Sequence, residues 1–151
     1  MKPYRFRLAT LLKIRESTRD ERRRHLLEAQ QAHDTLQARL GEIDDQLREA
    51  RRLASDSLSG GPVNVDRLLD DGRYELVMLA EQAMIRQQSK TVAEEVERRR
   101  QTLVAADREV RVLEKLRETQ QERHNVEARR REQQVIDEAA TLGYVPREGS
   151  L

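Results

Sequence analysis

The sequence predicts an all-α protein: a long antiparallel two-helix coiled-coil hairpin whose second helix is longer and overhangs at its C-terminal end. Three observations predict it. Apolar residues recur at alternating spacings of three and four, the period of a helical seam and not of a strand. One strong breaker, Ser57-Leu58-Ser59-Gly60-Gly61-Pro62, divides two such stripes. Charged residues make up 38% of the 151 residues and aromatics only 3%, with no Trp. That composition is too poor in large apolar side chains for a packed globule, but it suits a coil that buries a seam and leaves most of its surface wet.

The first helix is expected over 4–57. Pro3 precedes it, where proline is tolerated. Its stripe is Leu26, Ala29, Leu36, Leu40, Ile43, Leu47, Ala50 and Ala54, with His33 filling one missing site. Gly41 falls inside the pattern and costs about 1 kcal/mol relative to alanine without breaking it. The turn is expected over 58–64. The second helix is expected over 65–142, starting at an Asn64 cap or, after a loose 66–69 turn, at Asp70 or Asp71. Its stripe is Met78, Ile85, Val92, Val96, Leu103, Ala106, Val110 and Leu113, with Gln82, Ser89 and Arg99 at weak sites. Gly143 and Pro146 end it, leaving a tail over 143–151.

Two stripes joined by one short turn pair within the chain, because the turn holds the partner helix at high effective concentration; the competing arrangement pairs each helix with a copy of itself. The chain is therefore expected to be one domain and a monomer when free. At 1.5 Å per residue the helices span roughly 80 Å and roughly 115 Å, which sets the N-terminus beside residues near 118 and leaves the last part of helix two without a partner. The stripe fades over 117–134, where Val126 is the one large apolar residue.

Net charge is +1, from 29 basic and 28 acidic groups, which argues against a general nucleic-acid binder. The distribution is uneven. Residues 1–25 hold nine Lys/Arg against three Asp/Glu (+6), and residues 26–60 hold four against seven (−3). The basic end is suited to an acidic partner. There is no Cys, hence no disulfide and no thiolate metal site. No stretch approaches the about 18 apolar residues of a membrane span, and the N-terminus lacks the apolar core of a secretory signal, so the expected location is the cytoplasm.

Chemistry is nearly absent. His25, His33 and His124 show no metal-ligand spacing, and no phosphate-binding glycine loop or nucleophile–base arrangement is present. A slender hairpin offers its carboxylates no concave, water-poor site. The chain is expected to be no enzyme and to need no cofactor.

Three arginine triplets stand at 22–24, 98–100 and 129–131. Consecutive residues point in three directions round a helix, and Arg98, Arg99 and Arg100 follow Glu94, Glu95 and Glu97 at pairing distance. Arg15, Arg19 and Arg22 occupy the register of Leu8, Leu12 and Leu26, where apolar residues belong. Unpaired burial of arginines is costly, so either the coil opens there or acidic groups of helix two or of a partner meet them. Phe6, Leu8, Leu11, Leu12 and Ile14 form a dense apolar cluster, read either as coil core or as an adhesive tip. Leu76, Leu79, Ala80, Ala83 and Met84, with Tyr74, leave a second apolar strip on helix two beyond what a seam needs.

Three stretches resemble the FliJ family, the small coiled-coil component of the flagellar type III protein-export ATPase complex. They are Tyr4-Arg5-Phe6-Arg7-Leu8 with Leu11-Leu12-Lys13-Ile14-Arg15-Glu16, then Leu113-Glu114-Lys115-Leu116-Arg117-Glu118, then Arg129-Arg130-Arg131-Glu132-Gln133-Gln134-Val135-Ile136-Asp137-Glu138-Ala139. The resemblance implies a non-catalytic stalk, similar to the central stalk of rotary ATPases, that inserts into the export ATPase hexamer and promotes its assembly. It implies coupling to the cytoplasmic domain of the export-gate membrane protein, handling of export chaperones, and a place beside the inner membrane at the flagellar basal body. On it, Arg5, Phe6, Arg7, Leu8, Leu11, Leu12, Lys13, Arg15, Arg19, Arg129, Arg130 and Arg131 contact the ATPase ring, and Leu76, Ala80, Ala83 and Gln87 contact the gate. Leu76 and Gln87 replace the aromatic and histidine that the family pattern has at those sites. The alternatives are the equivalent stalk of a virulence secretion system, a coiled-coil nucleic-acid binder and a scaffold coil.

Overall fold

A computed structural model gives the structure of the protein, and it describes residues 2–144. Two helices, α1 (Ala9–Ser59) and α2 (Val65–Gly143), account for nearly all of them, and the chain is a helical hairpin. The described residues fall into two compact units, one of 20–105 and one of 2–19 with 106–144.

In the first of these units the helices run antiparallel on either side of the turn. Their cross-helix contacts step in opposite directions: position 51 meets 75, 44 meets 82, 37 meets 89 and 25 meets 99. Ile43, Leu47 and Ile85 form the centre of the core, with Leu36, Leu40 and Met78 packed against them. Ile43 is wholly inaccessible to solvent. Every stripe residue expected on this seam is buried or half-buried, as the three-and-four spacing requires.

The turn is built from its residue chemistry. α1 runs through Ser59, whose hydroxyl donates to the Asp56 carbonyl at 3.0 Å. Gly61 then takes a φ of +131°, which L side chains rarely adopt, and Pro62 cannot continue a helix. Asn64 caps α2: its Oδ1 accepts from the backbone N–H of Asp66 at 3.1 Å and of Arg67 at 3.4 Å. The cap resolves the start of α2 in favour of Asn64, and Gly72 is accommodated as a helical residue.

In the other unit Leu12, Ala106 and Val110 are buried, and Arg15 Nη1 lies 3.0 Å from Glu109 Oε2. Here the structure corrects one boundary. The first helix starts at Ala9 and not at residue 4; residues 2–6 are irregular and 7–8 form a turn. The cause is Tyr4. Its hydroxyl lies 3.3 Å from the Arg117 carbonyl and 3.3 Å from Gln120 Oε1, a reach that an open backbone provides, and no capping side chain stands ahead of Ala9. The first ladder bonds run from Ala9 N–H to the Phe6 carbonyl (3.3 Å) and from Leu12 N–H to the Leu8 carbonyl (2.9 Å). Tyr4 still meets α2 close to residue 118, where the turn position sets it. α2 includes Gly143, one residue past the expected end, which is within the usual fraying of helix termini. Pro146 and the rest of the expected tail lie outside the described residues.

Replacing Ile43 with alanine removes a side chain with no solvent contact and should cost about 2–4 kcal/mol. Gly41→Ala should do the reverse, gaining up to about 1 kcal/mol, because a Cβ there meets nothing within 4 Å. Urea unfolding followed by circular dichroism reads both.

Candidate functional site

The seam has polar interruptions, and the three on α2, Gln82, Ser89 and Arg99, each find a partner across the helices. Buried Gln82 donates through Nε2 to Asp44 Oδ1 at 2.6 Å. Buried Ser89 accepts at Oγ from Gln37 Nε2 at 2.7 Å. Arg99 donates through Nη1 to the His25 backbone carbonyl at 2.5 Å and through Nε to Glu95 at 2.8 Å. Among the described residues no buried side-chain nitrogen or oxygen lacks a partner. Apolar burial holds the helices together, while these bonds prevent the polar seam positions from opposing it.

The basic head is sorted by the same seam. Leu12 is only 3% exposed and belongs to the core. Phe6 and Leu11 are half-buried, and Leu8 and Ile14 face water. The apolar cluster is therefore split between core and surface. Arg15 answers to Glu109 on α2, so at that seam position an acidic group of the chain itself meets the arginine. Arg19 is half-buried and has a partner of its own, and Arg22 is half-buried. Arg5, Arg7 and Lys13 are exposed. In the same unit, Arg129 and Arg130 are exposed and Arg131 pairs with Glu127 one turn back. From 125 to 144 every residue except half-buried Ala128 is exposed.

The second surface lies on α2 in the unit that holds the turn. Leu76, Ala80, Ala83 and Gln87 are all exposed, and their spacings of four, three and four keep them on one face. That face points away from the seam positions Met78, Gln82, Ile85 and Ser89. Leu76 is 68% exposed and Met84 58%, so this is apolar surface that the hairpin itself leaves uncovered.

The remaining charges are local. Arg98 pairs with Glu95, Arg99 with Glu95 and Arg100 with Glu97, which accounts for that triplet inside its own helix. Arg39 bridges the helices to Glu81 at 2.8 Å, and that hydrogen bond raises the pKa of its guanidinium above the ordinary value for arginine. The hydrogen bond from Arg99 holds the Glu95 carboxyl below its ordinary value of 4.5, and the bond from Arg52 does the same for Glu49. Among the described residues no group of three or more His, Asp or Glu is arranged to hold a metal. No helix of the described residues is long and apolar enough to cross a membrane.

The contact of Tyr4 with His124 was not legible from the residues alone. Their ring centroids lie 5.7 Å apart with the planes tilted by 48°. Counting back from the turn gives the N-terminus a partner near 118, but not the irregular segment ahead of α1 from which the ring meets α2. Six large aliphatics round the turn, Leu53, Leu58, Val63, Val65, Leu68 and Leu69, belong to neither expected stripe, although they stand densely on both sides of the breaker. All six are exposed.

Glu49 and Glu95 have lowered pKa values in the folded state, so their contribution to stability is present above the ordinary carboxylate value and is lost as pH falls through the lowered one. The thermal midpoint should fall on acidification from about pH 5 to about pH 2, and a Glu49→Gln/Glu95→Gln protein should show a shallower fall. Thermal scans by circular dichroism at stepped pH check this.

Comparison with known families matches residues 4–149 to the family described as Flagellar FliJ protein. No curated protein and no solved structure matches the chain significantly. The match spans almost all of the 151 residues, both helices and the turn included. The chain belongs to the FliJ family and is a component associated with flagellar type III export.

Proposed function

We propose that this protein is the non-catalytic stalk of the export ATPase complex. It inserts into the ATPase hexamer, promotes assembly of the ring, couples it to the cytoplasmic domain of the export gate, and handles export chaperones on the cytoplasmic side of the inner membrane. Family membership supports the setting. The observation that carries the ring assignment is the state of the 125–144 stretch of α2. A helix with nearly its whole circumference in water, in the same compact unit as an exposed basic head, has the form of a ligand that waits for a socket.

The ring contact is then made by Arg5, Arg7, Lys13, Leu8 and Arg129–Arg131, with Phe6, Leu11, Arg15 and Arg19 contributing their exposed parts. Leu12, being core, supports the head from beneath. Exposed guanidinium and ammonium groups on a small apolar base favour an acidic, partly apolar pore lining. Their attraction gives speed and orientation to the encounter, and insertion of Leu8 and Phe6 gives it persistence.

The gate contact falls on Leu76, Ala80, Ala83 and Gln87. Small residues at 80 and 83 let a partner backbone approach closely, and Leu76 supplies a knob. The uncovered leucine supports this reading, since a side chain 68% exposed on an apolar face gains by association.

Charge reversal at the head (Arg5→Glu, Arg7→Glu, Lys13→Glu) should weaken assembly of the cognate ATPase hexamer by about tenfold or more while helicity is unchanged. Assembly monitored by light scattering or negative-stain counting decides it, and undiminished assembly would remove the head from the contact. For the gate, Leu76→Asp with Ala83→Asp should reduce binding of the gate's cytoplasmic domain and shrink motility haloes. Full motility would reject that face.

A further inference from the structure

The geometry points to Tyr4 and Phe6 as positioning residues for Arg5 and Arg7, a role that rests on the head being the ring contact. The two aromatics clasp the chain ahead of α1 onto α2, so that the two guanidinium groups are offered together as a paired cationic contact. Exposure alternates along this segment. Tyr4 is half-buried, Arg5 exposed, Phe6 half-buried and Arg7 exposed. A period of two belongs to an open segment lying on a surface, where successive side chains take opposite sides. In one more turn of α1, residues 5 and 7 would point about 200° apart, at about 100° per residue. The open backbone therefore turns both arginines to the outer side, which a longer helix would not do.

The clasp has three points of hold on α2. The Tyr4 hydroxyl lies 3.3 Å from the Arg117 carbonyl and 3.3 Å from Gln120 Oε1, and its single proton is shared between those oxygens. The ring tilts over half-buried His124, with centroids 5.7 Å apart. Positions 117, 120 and 124 are spaced three and four apart, so they share one face of α2. The hold fixes the direction of the ring as well as its place. Among the described residues none before Leu12 is fully buried, so the clasp adds little to the core. What it orders is the stretch of chain that carries the two arginines.

Ordering in the free protein removes a cost that binding would otherwise carry. Among the described residues neither Arg5 nor Arg7 makes an ion pair, whereas Arg15 in the same unit is met by Glu109. Two uncommitted guanidinium groups held on one side of an ordered segment suit carboxylates set close together on the ring, since arginine binds carboxylate through a fixed fork whose strength depends on orientation. A loose basic tail would be drawn to any negative field; a clasped pair selects for spacing.

The test is a mutant cycle on the full chain, read as affinity for the cognate ATPase. Arg5→Ala with Arg7→Ala should weaken binding by about tenfold in the native background, and by about twofold or less once Tyr4 is replaced by alanine. Tyr4→Phe keeps the ring over His124 and loses the hydroxyl bonds, and should fall between. His124→Ala leaves the head itself untouched and should lower the arginine effect in the same direction. Tyr4→Ala should leave the urea midpoint unchanged while nitrogen-15 relaxation shows the backbone of residues 5–7 becoming mobile on the picosecond–nanosecond timescale. Additive losses in the cycle would overturn the proposal, since Tyr4 would then act independently of the arginines. So would residues 5–7 that stay ordered in the Tyr4→Ala protein. Either result, with the arginine loss itself intact, leaves the head on the ring and removes only the clasp. Arginine replacements without effect in the native background remove the head from the ring, and the role of the clasp with it.

Discussion

Everything in this molecule depends on a seam only one or two side chains wide. A hairpin of two helices has no second layer, so each helix can bury a single stripe and must leave the rest of its circumference to water. The high charge content follows from this, as does the scarcity of aromatics, which would overfill so narrow an interface. So does the treatment of polar residues on the stripe. Gln82, Ser89 and Arg99 sit where leucine or valine belongs, and each is matched by Asp44, Gln37 or the His25 carbonyl. One half-satisfied polar group would undo much of the gain from its apolar neighbours, because there are few of them.

The same narrowness made the fold legible in the sequence. With one seam, the three-and-four spacing has one meaning, and Gly60-Gly61-Pro62 can only be the reversal. The turn then determines which residues face each other, so the meeting of Tyr4 with α2 near 118 follows from counting. What did not follow was the conformation of the segment that makes the contact. Leu8 and Leu11 continue the helical spacing of Leu12, and nothing in that spacing registers a phenol that gains more from reaching α2 than from completing another turn. The status of Arg15 was likewise open. Heptad position identifies an arginine on the seam but not whether a carboxylate lies opposite, and Glu109 became its partner only once the register was known.

Surfaces were less legible than the core for a related reason. An amphipathic pattern reports the face a helix buries against its partner; it is silent about a second apolar face unless that face is unusually dense. Leu76, Ala80 and Ala83 stood out because they add to a stripe already complete. The aliphatics round the turn did not, since leucines and valines beside a breaker are readily taken for the last layer of core. Only the exposure of Leu58, Val65 and Leu69 shows that no core is there.

The end of α2 carries one consequence more. From 125 onward its turns are held by their own backbone ladder and by local pairs such as Arg131 with Glu127. Opening of such turns would leave the buried layers undisturbed, because no seam side chain is tied to them. A partner that closed round this stretch would therefore have to hold it helical as well as touch it, and the entropy of that ordering would offset part of the contact energy.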